Sequence, residues 1–228
     1  MWKEIAEIVG NQRSLRVFGI AVLLMGILPS ITARHAVLSS VLALLLRVIY
    51  VLFATAIVVA NTAPDLVLHE RVGRTLDYLL ATRLPDSAIF GGKVLISAAV
   101  GYIAALVATV LQLVVAAVLS GHGWSWLYLV SPAGRILAFG MPAALSLYVA
   151  VIGTFVALRV GDQRSAYLVT ILSIGILLVP FLLGWLQIVL TTAWFAHATE
   201  GFGAVAIVLG GVGVLLFRRE MLVLYLQE

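Results

Sequence analysis

An all-α polytopic membrane protein with six transmembrane helices is the fold class the sequence predicts, on three observations. Of its 228 residues, 63% are hydrophobic and 11% charged, with a mean hydropathy of +1.17. Soluble domains are about half apolar and a quarter charged. The apolar residues fall into six segments, at 17–33, 37–62, 94–120, 133–158, 166–190 and 201–217. Each suits a helix that satisfies its own backbone in lipid, which takes about 20 residues. The basic residues, finally, gather on alternate connections. No length remains for a soluble domain, so 1–228 reads as one transmembrane domain.

Residues 1–16 carry Lys3, Glu4, Glu7, Arg13 and Arg16, with Trp2, Ile5, Ile8 and Val9 near helical spacing. That pattern predicts an amphipathic helix lying at the interface. The competing reading, a signal peptide, lacks an A-x-A cleavage pattern and is followed by further spans. Helices 1 and 2 then occupy 17–62, a cytosolic loop 63–93, helices 3–6 94–217, and a cytosolic tail 218–228. Pro142 and Pro180 each remove a helical hydrogen bond, which predicts a kink or break in the fourth and fifth helices. With Gly184 close behind Pro180, residues 181–198 form either the end of the fifth helix or a short re-entrant helix.

With the amino terminus inside, Lys3, Arg13, Arg16, Arg71, Arg74, Arg83, Lys93, Arg159, Arg164, Arg218 and Arg219 are cytosolic, eleven of fourteen. Only Arg34 and Arg135 fall outside, and Arg47 lies within a span. Such a bias predicts cytosolic termini in a cytoplasmic (inner) membrane. It also accounts for the net charge of +4 without a nucleic-acid partner. Ser97, Gly101 and Ala105 repeat at every fourth position of the third helix, and Ala206 and Gly210 in the sixth. Such rows permit close helix contact, within one subunit or between two.

The chain has no cysteine. Disulfides, thiolate metal sites, iron–sulfur clusters and cysteine nucleophiles are therefore excluded. His35, His69, His122 and His197 stand at span ends or in loops. His69-Glu70 begins an H-E-x-x-H motif, but position 73 is Gly73, so no zinc site is expected. No G-x-S-x-G elbow occurs, and no in-span histidine could serve a serine as base. Trp124, Trp126, Tyr128, Trp185 and Trp194 collect near the outer interface, where aromatic rings act as anchors.

The polar stretch Asn61 to Lys93 is not a slack linker. Val72, Leu76, Leu79 and Leu80 fall at i, i+4, i+7 and i+8, with Glu70, Arg71, Arg74 and Asp77 at other positions. This predicts a short amphipathic helix that either lies on lipid or docks onto a cytosolic protein. Glu70 with Arg74 is a favourable i, i+4 pair, worth roughly a few tenths of a kcal/mol. Pro85 stops the helix, and Asp86 or Ser87 caps the next.

The run Glu70-Arg71-Val72-Gly73-Arg74-Thr75-Leu76-Asp77-Tyr78-Leu79-Leu80-Ala81-Thr82, followed by Leu84-Pro85 and Gly92-Lys93, resembles the cytosolic loop of ATP-binding-cassette (ABC) type-2 permeases. That family's loop typically reads E-R-E-x-G-T-L-E-x-L-L-x-T-P and ends in a G-K pair. The likeness covers about 25 residues. Arg74 stands where glycine is usual, Asp77 replaces glutamate, and Arg83 replaces proline. The resemblance implies a coupling helix seated on an ABC ATPase (nucleotide-binding) subunit through Glu70, Thr75, Leu76, Asp77, Leu79, Leu80 and Thr82. It also implies that 1–16 is an elbow helix and that a second permease subunit, identical or related, completes the pathway. The chain is then a transport subunit of an exporter and not itself an enzyme.

No G-x-x-x-x-G-K-[ST] occurs in the chain, so ATP and Mg²⁺ are expected on the partner and no cofactor on this subunit. Arg47, about ten residues from the outer end of the second helix, lies roughly 15 Å deep. An arginine there costs at least about 2.5–3.5 kcal/mol on insertion scales. It serves either a substrate pathway, meeting an anionic group, or a neighbouring helix. The rival to the exporter is a stand-alone secondary carrier or intramembrane enzyme. A carrier would need several buried ionisable groups for ion coupling, and the expected spans contain Arg47 but no carboxylate.

Overall fold

A computed structural model describes residues 12–35, 40–72, 85–120, 135–160, 162–187 and 192–216, and every element among them is helical. The helices are α1 (Gln12–His35), α2 (Ser40–Val72), α3 (Asp86–Ser120), α4 (Met141–Arg159), α5 (Gln163–Gln187) and α6 (Thr192–Leu216). Three described stretches are long and apolar enough to cross a membrane: Arg47–Leu68, Ser87–Leu119 and Ala138–Arg159. Shorter apolar stretches, Leu15–Ile31 and Thr199–Gly213, lie in α1 and α6.

Helix ends differ from expectation in informative places. α2 runs ten residues past 62 and α3 starts at Asp86, so Ala63–Val72 and Asp86–Lys93 are helical rather than loop. Pro64 lies inside α2. Residues 12–16 open α1; the rest of the expected elbow helix lies outside the described residues. The expected disturbance at Pro142 takes the form of a π-helical turn, Ile136–Gly140, immediately before α4. Pro142 has no N–H to offer the carbonyl of Ala138. The turn widens instead, and Met141 N–H bonds the carbonyl of Ile136, five residues back. α5 continues through Pro180 to Gln187 and α6 takes in 192–198, so the described residues of 181–198 belong to these two helices, and 188–191 lie outside the described residues.

Neighbour pairs fix the directions. Gln112 meets Arg47, Gly101 meets Val59 and Lys93 meets Leu66, so α2 and α3 run antiparallel over most of their length. Gly153 lies against Ala63 and Thr170, and Gln163 bonds Asp65, which sets α4 parallel to α2 and α5 antiparallel to both. Gly140 faces Thr199 and Val151 faces Gly210, eleven residues on in each helix, so α4 and α6 are parallel. Gln12, Val72, Asp86 and Leu216 therefore share one end of the bundle. α2 and α4 form its centre, with Val59, Ala60, Ala63, Val149 and Ala150 fully buried. A second cluster joins α1 to α2 and α3 through Ala21, Val22, Ala54, Val58, Ala104 and Ala108.

Lipid tails give helices no hydrophobic reason to associate, so close packing has to do it. The row Ser97, Gly101 and Ala105 is buried and faces α2 and α4 of its own chain. Of the two readings open for that row, contact within one subunit is what the structure has. Gly153 serves α4 likewise, since a methyl there would stand 2.9 Å from Ala63 Cβ. The hydroxyls of Thr55, Thr62, Thr109 and Thr170 bond carbonyls of their own helices at 2.8–3.0 Å, which makes them tolerable away from water. The outer surface is apolar. Leu95, Ile103, Val107, Val110, Val114 and Val118 line the exposed side of α3, and Leu168 and Leu172 that of α5. A surface of this kind, over helices of this length, suits lipid rather than water.

Asp162 opens α5: its Oδ2 accepts the N–H of Ser165 at 2.8 Å, and this bond holds its carboxyl below the usual range.

Candidate functional site

The segment that carries the resemblance connects α2 to α3. Glu70 lies in the last turn of α2, whereas Thr75, Leu76, Asp77, Leu79, Leu80 and Thr82 lie outside the described residues. What the structure describes is the frame that holds them. α2 is 33 residues long, roughly 50 Å at 1.5 Å per residue, against a hydrocarbon core of about 30 Å. It delivers Glu70 beyond the apolar stretch on the same helix whose middle forms the core.

The base of this segment is tied to three helices. Lys93, from the second turn of α3, is buried, and its Nζ donates to the carbonyl of Leu66 at 3.1 Å. Gln163, the first residue of α5, donates through Nε2 to Asp65 Oδ1 at 3.0 Å. Pro64, next to Asp65, rests near Gly153 of α4. The last two turns of α2 are therefore anchored to α3 and α5 just where they leave the bundle. Burial of Lys93 makes its contact with Leu66 costly to break.

Asp65 and Lys93, expected in the loop, thus belong to helices. Asp65 falls within the apolar stretch Arg47–Leu68, and Lys93 within Ser87–Leu119. A proline such as Pro64 ordinarily ends a helix. Here tertiary packing overrides that preference, with Gly153 leaving room for the proline ring.

Arg47 is half-buried, and its backbone carbonyl accepts a bond from Gln112 Nε2 of α3 at 3.2 Å. It stands seven residues along α2 from Ser40, the first described residue of that helix, or roughly 10 Å. Eighteen residues, roughly 27 Å, separate it from Asp65. The polar levels around Arg47 and around Asp65 and Lys93 are thus nearly a hydrocarbon thickness apart.

Three or more His, Asp or Glu side chains that could hold a metal do not come together among the described residues. His197 and Glu200 pair at 3.4 Å on the exposed side of α6. No family model, no curated protein and no solved structure matches the chain. The likeness of the 70–93 stretch to type-2 permeases stands on its own residues.

Proposed function

We propose that the chain is the membrane-spanning permease subunit of an ATP-driven ABC exporter. It moves a hydrophobic or amphipathic substrate, such as a lipid, drug or peptide, across the cytoplasmic membrane, powered by a separate ATPase subunit. One observation carries the reading: the Thr75-Leu76-Asp77-x-Leu79-Leu80-x-Thr82 run, preceded by Glu70-Arg71, at the connection of α2 and α3. The ATPase partner binds ATP and Mg²⁺ and supplies the energy. In this chain, Leu76, Leu79 and Leu80 seat the coupling helix on that partner, while Glu70, Thr75, Asp77 and Thr82 make its polar contacts. Movement of the seat passes into α2, and through Lys93 and Gln163 into α3 and α5. A second permease subunit completes the route. Arg47 meets a negative group of the substrate.

This reading places both termini and the 73–85 connection in the cytosol. Single cysteines at Ser87 and Gly123, in a chain with no others, should then label from opposite sides of sealed membranes. Labelling of both from one side would exclude the six-span arrangement. The role of Arg47 is tested in a reconstituted complex by comparing Arg47→Lys, Arg47→Gln and Arg47→Leu for stimulation of ATP hydrolysis by anionic and neutral amphiphiles. Lys should keep much of the anion response, and Gln and Leu should lose it selectively. Wild-type responses in all three would remove Arg47 from the pathway.

Asp65 and Lys93 favour a second reading. With one carboxylate and one ammonium group in helical stretches otherwise apolar, the chain has more of what a secondary carrier uses for ion coupling than Arg47 alone. A carrier would transport under an ion gradient with ATP absent.

A further inference from the structure

Pro29 lies inside α1 and is itself buried. A proline has no N–H, so it leaves the carbonyl four residues earlier, that of Met25, without its helical donor. Where water is excluded, an open carbonyl is costly, and another group has to fill it.

The group that fills it comes from α3. Gln112 Nε2 donates to the carbonyl of Met25 at 3.0 Å and to the carbonyl of Arg47 in α2 at 3.2 Å. Ser30, directly after the proline, donates its hydroxyl to the backbone carbonyl of Gln112 at 3.1 Å. Gln112 and Ser30 are 3% and 4% exposed. A side-chain amide has two hydrogens. Both are used only while α1 and α2 hold their places on either side of α3.

We infer that Gln112 is a latch: it closes the gap that Pro29 opens in α1 and by the same contact fastens α1 to the α2–α3 pair. The two acceptors are not equivalent. Arg47 O lies in a stretch of α2 without proline and has the N–H of Val51 as its helical donor. Met25 O depends on Gln112. The importance of Gln112 therefore depends on residue 29 being proline, which a mere space-filling role would not require.

The test is a double-mutant cycle on the full chain purified in detergent: wild type, Gln112→Leu, Pro29→Ala and the double variant. Pro29→Ala returns an N–H to position 29 and gives Met25 O its own donor. Gln112→Leu should lower the melting temperature by about 5 °C in the wild-type background, and by clearly less in the Pro29→Ala background. Equal falls in the two backgrounds would overturn the latch. Should Gln112→Leu fail to fold in the wild-type background, the cycle is run with Gln112→Asn, which keeps the amide but is one methylene too short to reach. Loss of every Gln112 variant in both backgrounds alike would also refute the link to Pro29. The fastening is read separately from a Gly26→Cys/Leu111→Cys pair, two positions whose Cβ atoms would stand 3.1 Å apart. Oxidative cross-linking of that pair should be slower with Gln112→Leu than with Gln112, and an unchanged rate would show that Gln112 does not hold α1.

Discussion

Gly101→Ala should cost the folded chain about 1–3 kcal/mol, the usual penalty for forcing carbon into a filled contact. That is a fall in melting temperature of roughly 2–12 °C for a chain of this size. The added methyl would collide with Val59, which is fully buried and cannot swing clear, because a β-branched side chain in a helix has one strongly preferred rotamer. Gly101→Leu should prevent a monodisperse product altogether. The attribution is specific: Val59→Ala makes room, so Val59→Ala/Gly101→Ala should be more stable than the sum of the two single changes predicts. Thermal denaturation followed by light scattering in detergent reads all four forms. Full additivity would mean that Gly101 and Val59 do not set the spacing of α2 and α3.

Leu76→Asp or Leu79→Asp should release the ATPase from the complex while leaving the permease folded and inserted. A carboxylate placed in a docking face that loses its water on binding has no partner there, and an uncompensated buried charge costs roughly 3–5 kcal/mol. At about 1.4 kcal/mol per tenfold, that is a loss of affinity of roughly a hundredfold or more. The proposal places both side chains on the docking face, so the bundle should keep its melting temperature. Affinity capture from membranes, with the recovered ATP hydrolysis measured per permease, gives the result. Undiminished association of both variants would remove the coupling helix from the account.

The all-helical fold and the order of the described helices are legible in the sequence as apolar runs, three of which are long and apolar enough among the described residues to cross a membrane. Their ends are less so. The second helix is expected to end at 62, yet it continues to Val72, since Gly153 makes room for Pro64 and Gln163 satisfies Asp65. The sixth helix is expected from 201, yet α6 already includes Thr192–Glu200. The row Ser97, Gly101 and Ala105 shows that a close contact exists, but only the fold shows that α2 and α4 make it. Of the candidate site, Arg47 and the 70–82 run are visible as residue types out of place or in a recognisable order. Gln112 and Lys93 escape a reading of the sequence for the opposite reason. A single amide in a long apolar run has no periodicity to betray it, and a lysine after Gly92 looks like the edge of a loop. The signal is the pairing of a lone in-span donor with a proline on another helix, and it becomes readable only once the register of α1, α2 and α3 is known.

The central claim, that this chain works on energy supplied by another polypeptide, is tested most directly by purifying the tagged wild-type chain from its native membranes without cross-linking. The account predicts that a second polypeptide carrying a phosphate-binding loop elutes with it, together with ATP hydrolysis. A homogeneous chain with no ATPase beside it, transporting under an ion gradient alone, would contradict the account.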